Sequence, residues 1–326
     1  MKPSRFFSVQ GKDERYEDLC VKPNCQEIHD FIEEMWKEYW PYADSDFLPK
    51  ARNRDFQACY WEMYLGCSLL RQNMQIEPRA ERKRLWGSSD KGPDFKIVAP
   101  YTLWLEAITP GAGTTEDAVP EAELGVARQV PDDEVKLRLL HAIRDKAKQR
   151  LRFIQEGWID PTGCYVVAVN TGKLPHVPDL DPPRIVRAVL GLGFPQVSMD
   201  VNSGDVNSSA LSNWRYQPQD RIFKRSSASS VSTRIFLDRE QPDDPDHTGY
   251  EGLSAVLSSG MTPFNSCEPW FDHNKFVIGD DYCIMHNPLA NEQNQLPHGF
   301  LKCGREYWLN NAGVLDSNIW FKDREQ

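Results

Sequence analysis

KGPDFKIVAPYTLWLEAI, residues 91–108, holds two short apolar runs with a turn at Ala99-Pro100 between them. Asp94 follows a Gly-Pro turn at the head of the first run, and Glu106 lies inside the second. The spacing predicts that the two runs pair as adjacent strands of a β-hairpin. The two acidic residues then come close together among apolar neighbours, where a pair of carboxylates needs a cation.

The composition is that of a folded protein without a general affinity for nucleic acid. Charged residues make up 26% and hydrophobic residues 40% of the 326 positions, so the chain can bury a large core in one domain or two. The net charge of −10 argues against a basic coat, so any contact with nucleic acid must come from a local patch.

The N-terminal stretch and the cysteines favour a cytoplasmic location. Residues 1–18 carry charges throughout and lack a long apolar core, so we expect no signal peptide, no membrane anchor and no membrane contact. The eight cysteines fall at irregular spacings without a CxxC pair, and most sit in apolar runs. We therefore expect reduced, buried thiols in a cytoplasmic protein.

Two helical patterns precede the hairpin. Residues 26–40 place apolar side chains at helical spacing, which favours a helix that packs in the core over a platform for stacking bases. Residues 55–72 predict a second, strongly apolar helix that carries Glu62. A glutamate in such a helix is either paired or faces solvent at an edge, and the helix alone leaves both interpretations open.

The clearest basic cluster lies in residues 77–87, directly before the Gly-Pro-Asp turn. It consists of Arg79, Arg82, Lys83 and Arg84. Next to carboxylates that hold a metal, such a cluster predicts a contact with the phosphate backbone of a nucleic acid. Taken alone, the same residues are typical of a solvated loop.

A loop and a long helix follow the hairpin. Residues 109–134 are rich in Gly, Pro and acids and predict a long loop of the kind that forms lids or binds substrate. Residues 133–156 predict a helix with an acidic first turn. Lys146 falls inside its apolar arc, and Gln149 borders the same face. Lys146 therefore pairs with an acid or a phosphate, or else reaches the surface along its aliphatic stem, and the helix alone leaves both open.

The next apolar run, Gly163–Asn170, predicts a strand covered on both faces. Hairpin, helix and buried strand together predict an α/β fold with a mixed central β-sheet flanked by helices. Residues 184–193 predict a short helix or turn, and the tract 198–215, rich in Ser and Asn, predicts a mobile loop. Later strands are predicted at Val231–Leu237, Leu253–Ser258, Phe276–Ile278 and Tyr282–His286.

These patterns divide the chain into three parts. Residues 1–48 form an N-terminal helical segment and residues 49–197 form the core. Residues 198–326 form a β-rich extension that we expect to pack on the same core.

Three acids from separate elements converge on one predicted metal site. Glu62 from a helix, Asp94 from a strand start and Glu106 from the adjoining strand supply oxygen ligands for Mg²⁺, with the carbonyl of Ala107 as a further ligand and Mn²⁺ as a substitute ion. Such an ion activates a water for attack on a phosphodiester and offsets charge on the leaving oxygen. Lys146 would neutralise the phosphorus centre or orient the water.

The order Glu62, Pro93-Asp94 and Leu105-Glu106-Ala107 resembles the PD-(D/E)XK, or restriction-endonuclease-like, nuclease superfamily. The phrases WEMYLG, KGPDF, LWLEAITPGAG and HNPLA look like a group of uncharacterised bacterial and phage proteins within it. The likeness runs from about residue 50 to residue 170, and more loosely to 300. It implies a mixed central sheet flanked by helices and a metal-dependent endonuclease that hydrolyses phosphodiester bonds, with DNA as the expected partner. Many nucleases that cut both strands act as dimers, so a homodimer is open, although no pattern identifies an interface.

One position departs from the superfamily's pattern. Its lysine normally lies two residues after the second acid, and Ile108 stands there. Either the lysine has moved to the following helix, where Lys146 or Gln149 takes its place, or the site no longer cuts and the fold binds nucleic acid or a protein partner. The inward position of Lys146 favours the first alternative.

Other chemistries lack their motifs. There is no G-x-S-x-G elbow, no H-E-x-x-H and no P-loop. The histidines are scattered, and His273, His286 and His298 show no ligand spacing, which does not favour a zinc site. His286-Asn-Pro is more typical of a structural turn than of a contact with substrate.

Overall fold

The computed structural model describes residues 4–7, 10–22, 25–86, 92–123, 125–126, 129–175, 181–196, 215–225, 227, 229–240, 248–267 and 277–320. Within these ranges the chain forms a mixed sheet of eight strands flanked by helices. The predicted α/β class with a mixed central sheet is therefore confirmed.

The described ranges contain helices that the sequence predicted and others that it did not. They are α1 (Glu14–Val21), α2 (Gln26–Tyr39), α3 (Phe47–Asn53), α4 (Phe56–Arg71), α5 (Arg79–Trp86), α6 (Asp132–Gln155) and α7 (Arg184–Leu190). The Asp55 side chain caps α4 by accepting the N–H of Ala58 at 3.1 Å. The first turn of α6 is acidic, which suits the positive end of the helix dipole. α2, α4 and α6 confirm the helices predicted over 26–40, 55–72 and 133–156.

The strands of the large sheet lie in the order β1-β2-β3-β4-β9-β10-β11-β12. In chain order the strands are β1 (Gln75–Ile76), β2 (Phe95–Ala99), β3 (Leu103–Ile108), β4 (Cys164–Asn170), β5 (Leu192–Gln196), β6 (Arg215–Pro218), β7 (Arg221–Phe223), β8 (Ser230–Ser232), β9 (Ala255–Ser259), β10 (Cys283–His286), β11 (Gly304–Leu309) and β12 (Leu315–Trp320). Two pairs, β5-β6 and β7-β8, form small sheets of their own.

The predicted hairpin is present, and it sets the register of the sheet. β2 pairs antiparallel with β3, with Phe95 opposite Leu105. β3 then pairs parallel with β4, with Glu106 opposite Val167. A parallel neighbour requires a crossover connection, and α6 provides it. The hairpin and α6 therefore meet at the C-terminal end of β3.

Each face of the sheet packs against different helices. On one face Leu103 and Leu105 join a buried cluster with Trp61 of α4 and with the aromatic side chains of α2. On the other face Trp104 joins a cluster with α6 and α7. β4 contributes Val166 to the first cluster and Val167 to the second, as expected for a strand covered on both sides. The acids of the hairpin therefore sit at the edge of a thick hydrophobic core.

The later strands depart from the prediction in two places. The predicted strand Val231–Leu237 is wrong beyond Ser232, because the chain turns at Arg234, whose carbonyl accepts the N–H of Leu237 at 2.9 Å. Ile235 and Phe236 are buried from that turn, so apolar residues there do not indicate a strand.

At Phe276–Ile278, the second place, Phe276 lies outside the described residues. Val277 accepts a turn hydrogen bond from the N–H of Asp280, and neither Val277 nor Ile278 is in a strand.

Two features of the fold lie at the boundaries of the predicted division into three parts. α3 runs across the boundary at residue 48, and β9 pairs parallel with β4, so the sheet continues beyond residue 198. The predicted mobile loop at 198–215 lies outside the described residues up to Arg215, which begins β6.

The described part of the chain also bears on the thiols and on membrane contact. Seven of the cysteines are free thiols, and most of these seven are buried. Among the described helices, none has both the length and the apolar character needed to cross a bilayer.

Candidate active site

The hairpin joins Asp94 and Glu106 through two hydrogen bonds. The backbone N–H of Asp94 donates to Oε2 of Glu106 at 3.2 Å. Oδ2 of Asp94 in turn accepts the N–H of Ala107 at 2.8 Å. Each acid is thus held by the backbone of the other's strand, which fixes both side chains at the open end of the hairpin.

Glu62 enters the site from the central turns of α4. Its side chain is buried, and Oε1 accepts the hydroxyl of Tyr39 at 2.8 Å. The alternative in which Glu62 faces solvent is therefore wrong. Tyr39 was not predicted from the sequence, although the stripe of α2 at helical spacing that includes Ile28, Ile32, Met35 and Tyr39 was the available signal.

Arg79 lies between two of the acids. Its Nη1 is 3.5 Å from Oδ1 of Asp94 and 3.9 Å from Oε1 of Glu62. One cationic nitrogen thus contacts carboxylates that are 32 positions apart along the chain. The structure places this predicted phosphate-binding residue inside the acidic cluster, with only 16% of its side chain exposed.

Lys146 reaches the same cluster from α6. Its Nζ lies 2.5 Å from Oε1 of Glu106 and 3.1 Å from Oε1 of Gln149. Lys146 and Gln149 are three residues apart and so share a helix face. The alternative in which Lys146 reaches the surface is wrong, because its ammonium pairs with Glu106 and only 16% of its side chain is exposed.

The carbonyl of Ala107 lies on the side of β3 that faces Asp94. In an extended strand the N–H and C=O of one residue leave on the same side, and the N–H of Ala107 binds Asp94. Its oxygen is therefore directed toward the hairpin's acids, where it was predicted as a ligand.

The pKa values of the site report how strongly the acids are crowded. Burial raises the pKa of Glu62 to about 7, and the charge of Asp94 adds to the rise. Burial and Asp94 likewise raise the pKa of Glu106 to about 7. Burial alone would lower the pKa of Lys146, but Glu106 and Asp94 outweigh it and raise that pKa. Because Glu62 and Glu106 are buried near another carboxylate, their ionisation near neutral pH costs free energy. A bound cation would offset that cost.

A second lysine that sequence analysis missed responds to the same charges. Burial alone would lower the pKa of Lys50 on α3, but the surrounding charges, including those of Glu62 and Asp94, raise it. No sequence pattern singled out Lys50, because α3 carries only two buried residues and shows no strong periodicity.

The remaining basic residues of 77–87 occupy different environments from the one predicted. The segment is the helix α5, not a loop. Arg82 is fully buried, and its guanidinium donates to the carbonyls of Pro93 at 2.8 Å and Asp94 at 3.3 Å. The prediction that Arg82 contacts phosphate is therefore wrong. Arg82 instead holds the turn that carries Asp94. Lys83 pairs with Asp44, and Arg84 is exposed at the surface.

Among the described residues the three carboxylates do not form a group whose ligand atoms already lie close enough to share one ion, but their chemistry suits Mg²⁺. Three carboxylates and a backbone carbonyl are hard oxygen ligands of the kind Mg²⁺ prefers. The guanidinium of Arg79 already lies between two of these carboxylates, so the cluster accommodates positive charge at that place. Glu62, Asp94, Glu106 and the carbonyl of Ala107 would hold the ion.

Comparison of the chain with protein-family models, with curated proteins and with solved structures found no match.

Proposed function

We propose that this protein is a Mg²⁺-dependent nuclease that hydrolyses phosphodiester bonds, with DNA as its substrate. The observation that carries the proposal is the ion pair of Lys146 and Glu106, at 2.5 Å. It joins the helix that follows the hairpin to the second acid of the hairpin. The resemblance to the PD-(D/E)XK superfamily needs a lysine at this acid, and Ile108 cannot supply it.

The topology supports the same proposal. The hairpin β2-β3 is followed by the helix α6 and by β4, which lies parallel to β3. This order agrees with the mixed sheet flanked by helices that the resemblance implies. Ile108 is partly buried and packs against the apolar cluster on the α6 face, so the residue at this position contributes to the core.

Each residue of the site has a role that follows from its contacts. When bound, Mg²⁺ supplies positive charge to the scissile phosphate and lowers the pKa of an attacking water. Lys146 donates hydrogen bonds to a phosphate oxygen as negative charge develops there, and Gln149 accepts from Lys146 and holds its rotamer. Arg79 turns from the acids to the incoming phosphate, since its guanidinium forms paired hydrogen bonds with such oxygens.

A polymeric substrate suits the charge distribution. The chain carries a net charge of −10, yet α5 brings the guanidinium of Arg79 to the acids and also carries the exposed Arg84. A local cluster of basic side chains attracts a phosphate backbone without reading its bases. We take DNA as the substrate because the resemblance implies it.

The test is cleavage of labelled single-stranded DNA, duplex DNA and RNA by the purified protein with Mg²⁺ or with EDTA. We expect cleavage of DNA with Mg²⁺, and a loss of at least about 100-fold in Asp94→Asn and in Glu106→Gln, the order found when a charge-stabilising group is removed. Glu81→Gln is the matched control, because Glu81 is an exposed acid on α5. Equal activity in all variants, or none with any substrate, overturns the proposal.

A second candidate function is a catalytically inactive protein that binds nucleic acid through the same fold. The observation that favours it is the isoleucine at position 108, together with Arg79 lying among the acids. Binding of DNA that needs no divalent ion, without cleavage in Mg²⁺ or Mn²⁺, would distinguish it from the nuclease.

A further inference from the structure

Two histidines and a glutamate, 12 and 8 positions apart in sequence, meet in the part of the sheet that lies away from the acids. Glu306 lies on β11, and its side chain is fully buried. His286 ends β10, and His298 lies in the connection between β10 and β11. Their nitrogen and oxygen ligand atoms all lie within 4.8 Å of one another. Sequence analysis found no ligand spacing here, because the path of the irregular connection between the strands sets the distance.

The contacts within this cluster differ in strength. Nε2 of His286 lies 2.6 Å from Oε1 of Glu306, which is a hydrogen-bonding distance. Nδ1 of His298 stands 4.0 Å from Oε2 of Glu306, beyond hydrogen-bonding distance. The two imidazole rings have centroids 4.8 Å apart. Both imidazole rings thus lie next to one carboxylate. His286 is within hydrogen-bonding distance of it, and His298 is not.

The carboxylate itself is held rigidly. The N–H of Gly299 donates to both of its oxygens, at 3.0 and 2.9 Å, and Nε1 of Trp320 donates to Oε2 at 2.8 Å. These donors fix the orientation of Glu306 as the outer partners of a metal-binding carboxylate do. The contact between His286 and Glu306 is then the one that a cation can replace.

We propose that His286, His298 and Glu306 form a second metal site, which takes a first-row divalent ion such as Zn²⁺ and completes its coordination with water. Two imidazoles and one carboxylate are a common protein ligand set for that ion. In a tetrahedral site with bonds of about 2.1 Å the ligand atoms stand roughly 3.4 Å apart. The distances from Glu306 to His286 and to His298, 2.6 and 4.0 Å, lie on either side of that value. His298 is 54% exposed in a connecting segment and can make the adjustment.

The site is distinct from the proposed nuclease centre. β11 is four positions away from β3 in the sheet, which corresponds to about 19 Å at roughly 4.8 Å per strand. Zn²⁺ bound there joins the end of β10, the 287–303 connection and β11. We therefore expect the ion to stabilise the C-terminal half of the sheet independently of catalysis.

The experiment measures Zn²⁺ binding to the full-length, metal-stripped protein by competition with a chromogenic chelator. It is done in an Asp94→Asn/Glu106→Gln background, which removes carboxylates of the other site. We expect one equivalent of Zn²⁺ and a higher melting temperature. His298→Ala should weaken binding by more than about 100-fold, since loss of an outer-shell partner alone costs roughly 10–100-fold.

The matched control is His29→Gln, a partly exposed histidine of α2 outside the cluster, which should leave Zn²⁺ binding unchanged. Because the side chain of His298 is half exposed, its removal leaves the fold intact, and circular dichroism checks this. Absence of tight Zn²⁺ binding in the parent background, or equal affinity in His298→Ala, overturns the proposal whether or not the protein cuts DNA.

Discussion

Lys146 and Glu106 are 40 positions apart, yet their charged atoms lie 2.5 Å from each other. The pair links the helix α6 to the second strand of the hairpin at the point where Asp94 also lies. A buried ion pair of this kind is costly to assemble and is weak evidence for stability alone. The pair matters for the proposed chemistry because it lies in the same cluster as Asp94 and Glu62.

Lys146→Met should abolish cleavage without unfolding the protein. The substitution removes the ammonium that we assign to the phosphate and keeps most of the aliphatic volume. We expect kcat to fall by about 100-fold or more. Lys148→Met on the same helix is the control, because two positions along an α-helix turn a side chain by about 200°, away from the direction of Lys146. Wild-type turnover in Lys146→Met would reject the assignment of this lysine.

Arg79→Gln should raise the affinity of the site for Mn²⁺ while it lowers cleavage. The guanidinium of Arg79 lies 3.5 Å from the carboxylate of Asp94, so it competes with a metal ion for that carboxylate. Its removal leaves the acids more repulsive to one another and so more attractive to a divalent ion. Isothermal titration with Mn²⁺ measures the change, and Arg84→Gln serves as the exposed counterpart. A weaker or unchanged affinity in Arg79→Gln contradicts this role.

Glu62 should make the metal-free protein less stable as the pH rises. Its pKa is raised by burial from 4.5 to about 7 in the fold, so between these values the folded state binds more protons than the unfolded state. Its contribution to stability is therefore complete below pH 4.5 and is lost as the pH rises through about 7. Each tenfold difference in proton affinity between the two states corresponds to about 1.4 kcal/mol of that contribution.

The measurement is the melting temperature of wild type and Glu62→Gln in EDTA from pH 5 to pH 8. Because glutamine does not titrate, the variant should gain stability relative to wild type as the pH rises, and Mg²⁺ should remove most of the difference. Parallel profiles for the two proteins would show that Glu62 is not held at a raised pKa.

Arg82→Met should destabilise the fold rather than weaken binding of nucleic acid. Its fully buried guanidinium donates to the carbonyls of Pro93 and Asp94, and charged hydrogen bonds of this type contribute about 1.5–3 kcal/mol each. We expect a loss of about 3 kcal/mol in urea denaturation, and Arg84→Met should change stability by less than about 0.5 kcal/mol. If both variants are equally stable, Arg82 does not hold the turn.

The parts of the site that are close in sequence could be predicted, but the contacts between distant segments of the chain could not. Asp94 and Glu106 were predictable together because a hairpin fixes their register from spacing alone. The inward arc of α6 indicated Lys146 for a similar reason, since helical periodicity defines a face. Partners such as Tyr39 and Lys50 lie on other helices, and no local period specifies which helix packs on which.

Arg79 and Arg82 show the same limit within a single helix. Both belong to one basic cluster in sequence, and composition alone assigned them one role. Three residues apart on α5, they face different partners: Arg79 contacts carboxylates, and Arg82 contacts backbone carbonyls. The distinction depends on where the Gly-Pro-Asp turn folds back over α5, which is a tertiary contact.

The most direct test of the central claim is a crystal structure of the protein grown with Mn²⁺, with the anomalous signal of the ion recorded. We predict a peak at about 2.2 Å from carboxylate oxygens of Asp94 and Glu106, with Glu62 close by and the Arg79 guanidinium displaced. Ordered protein with no anomalous peak between these acids, and with Arg79 still at Asp94, would contradict it.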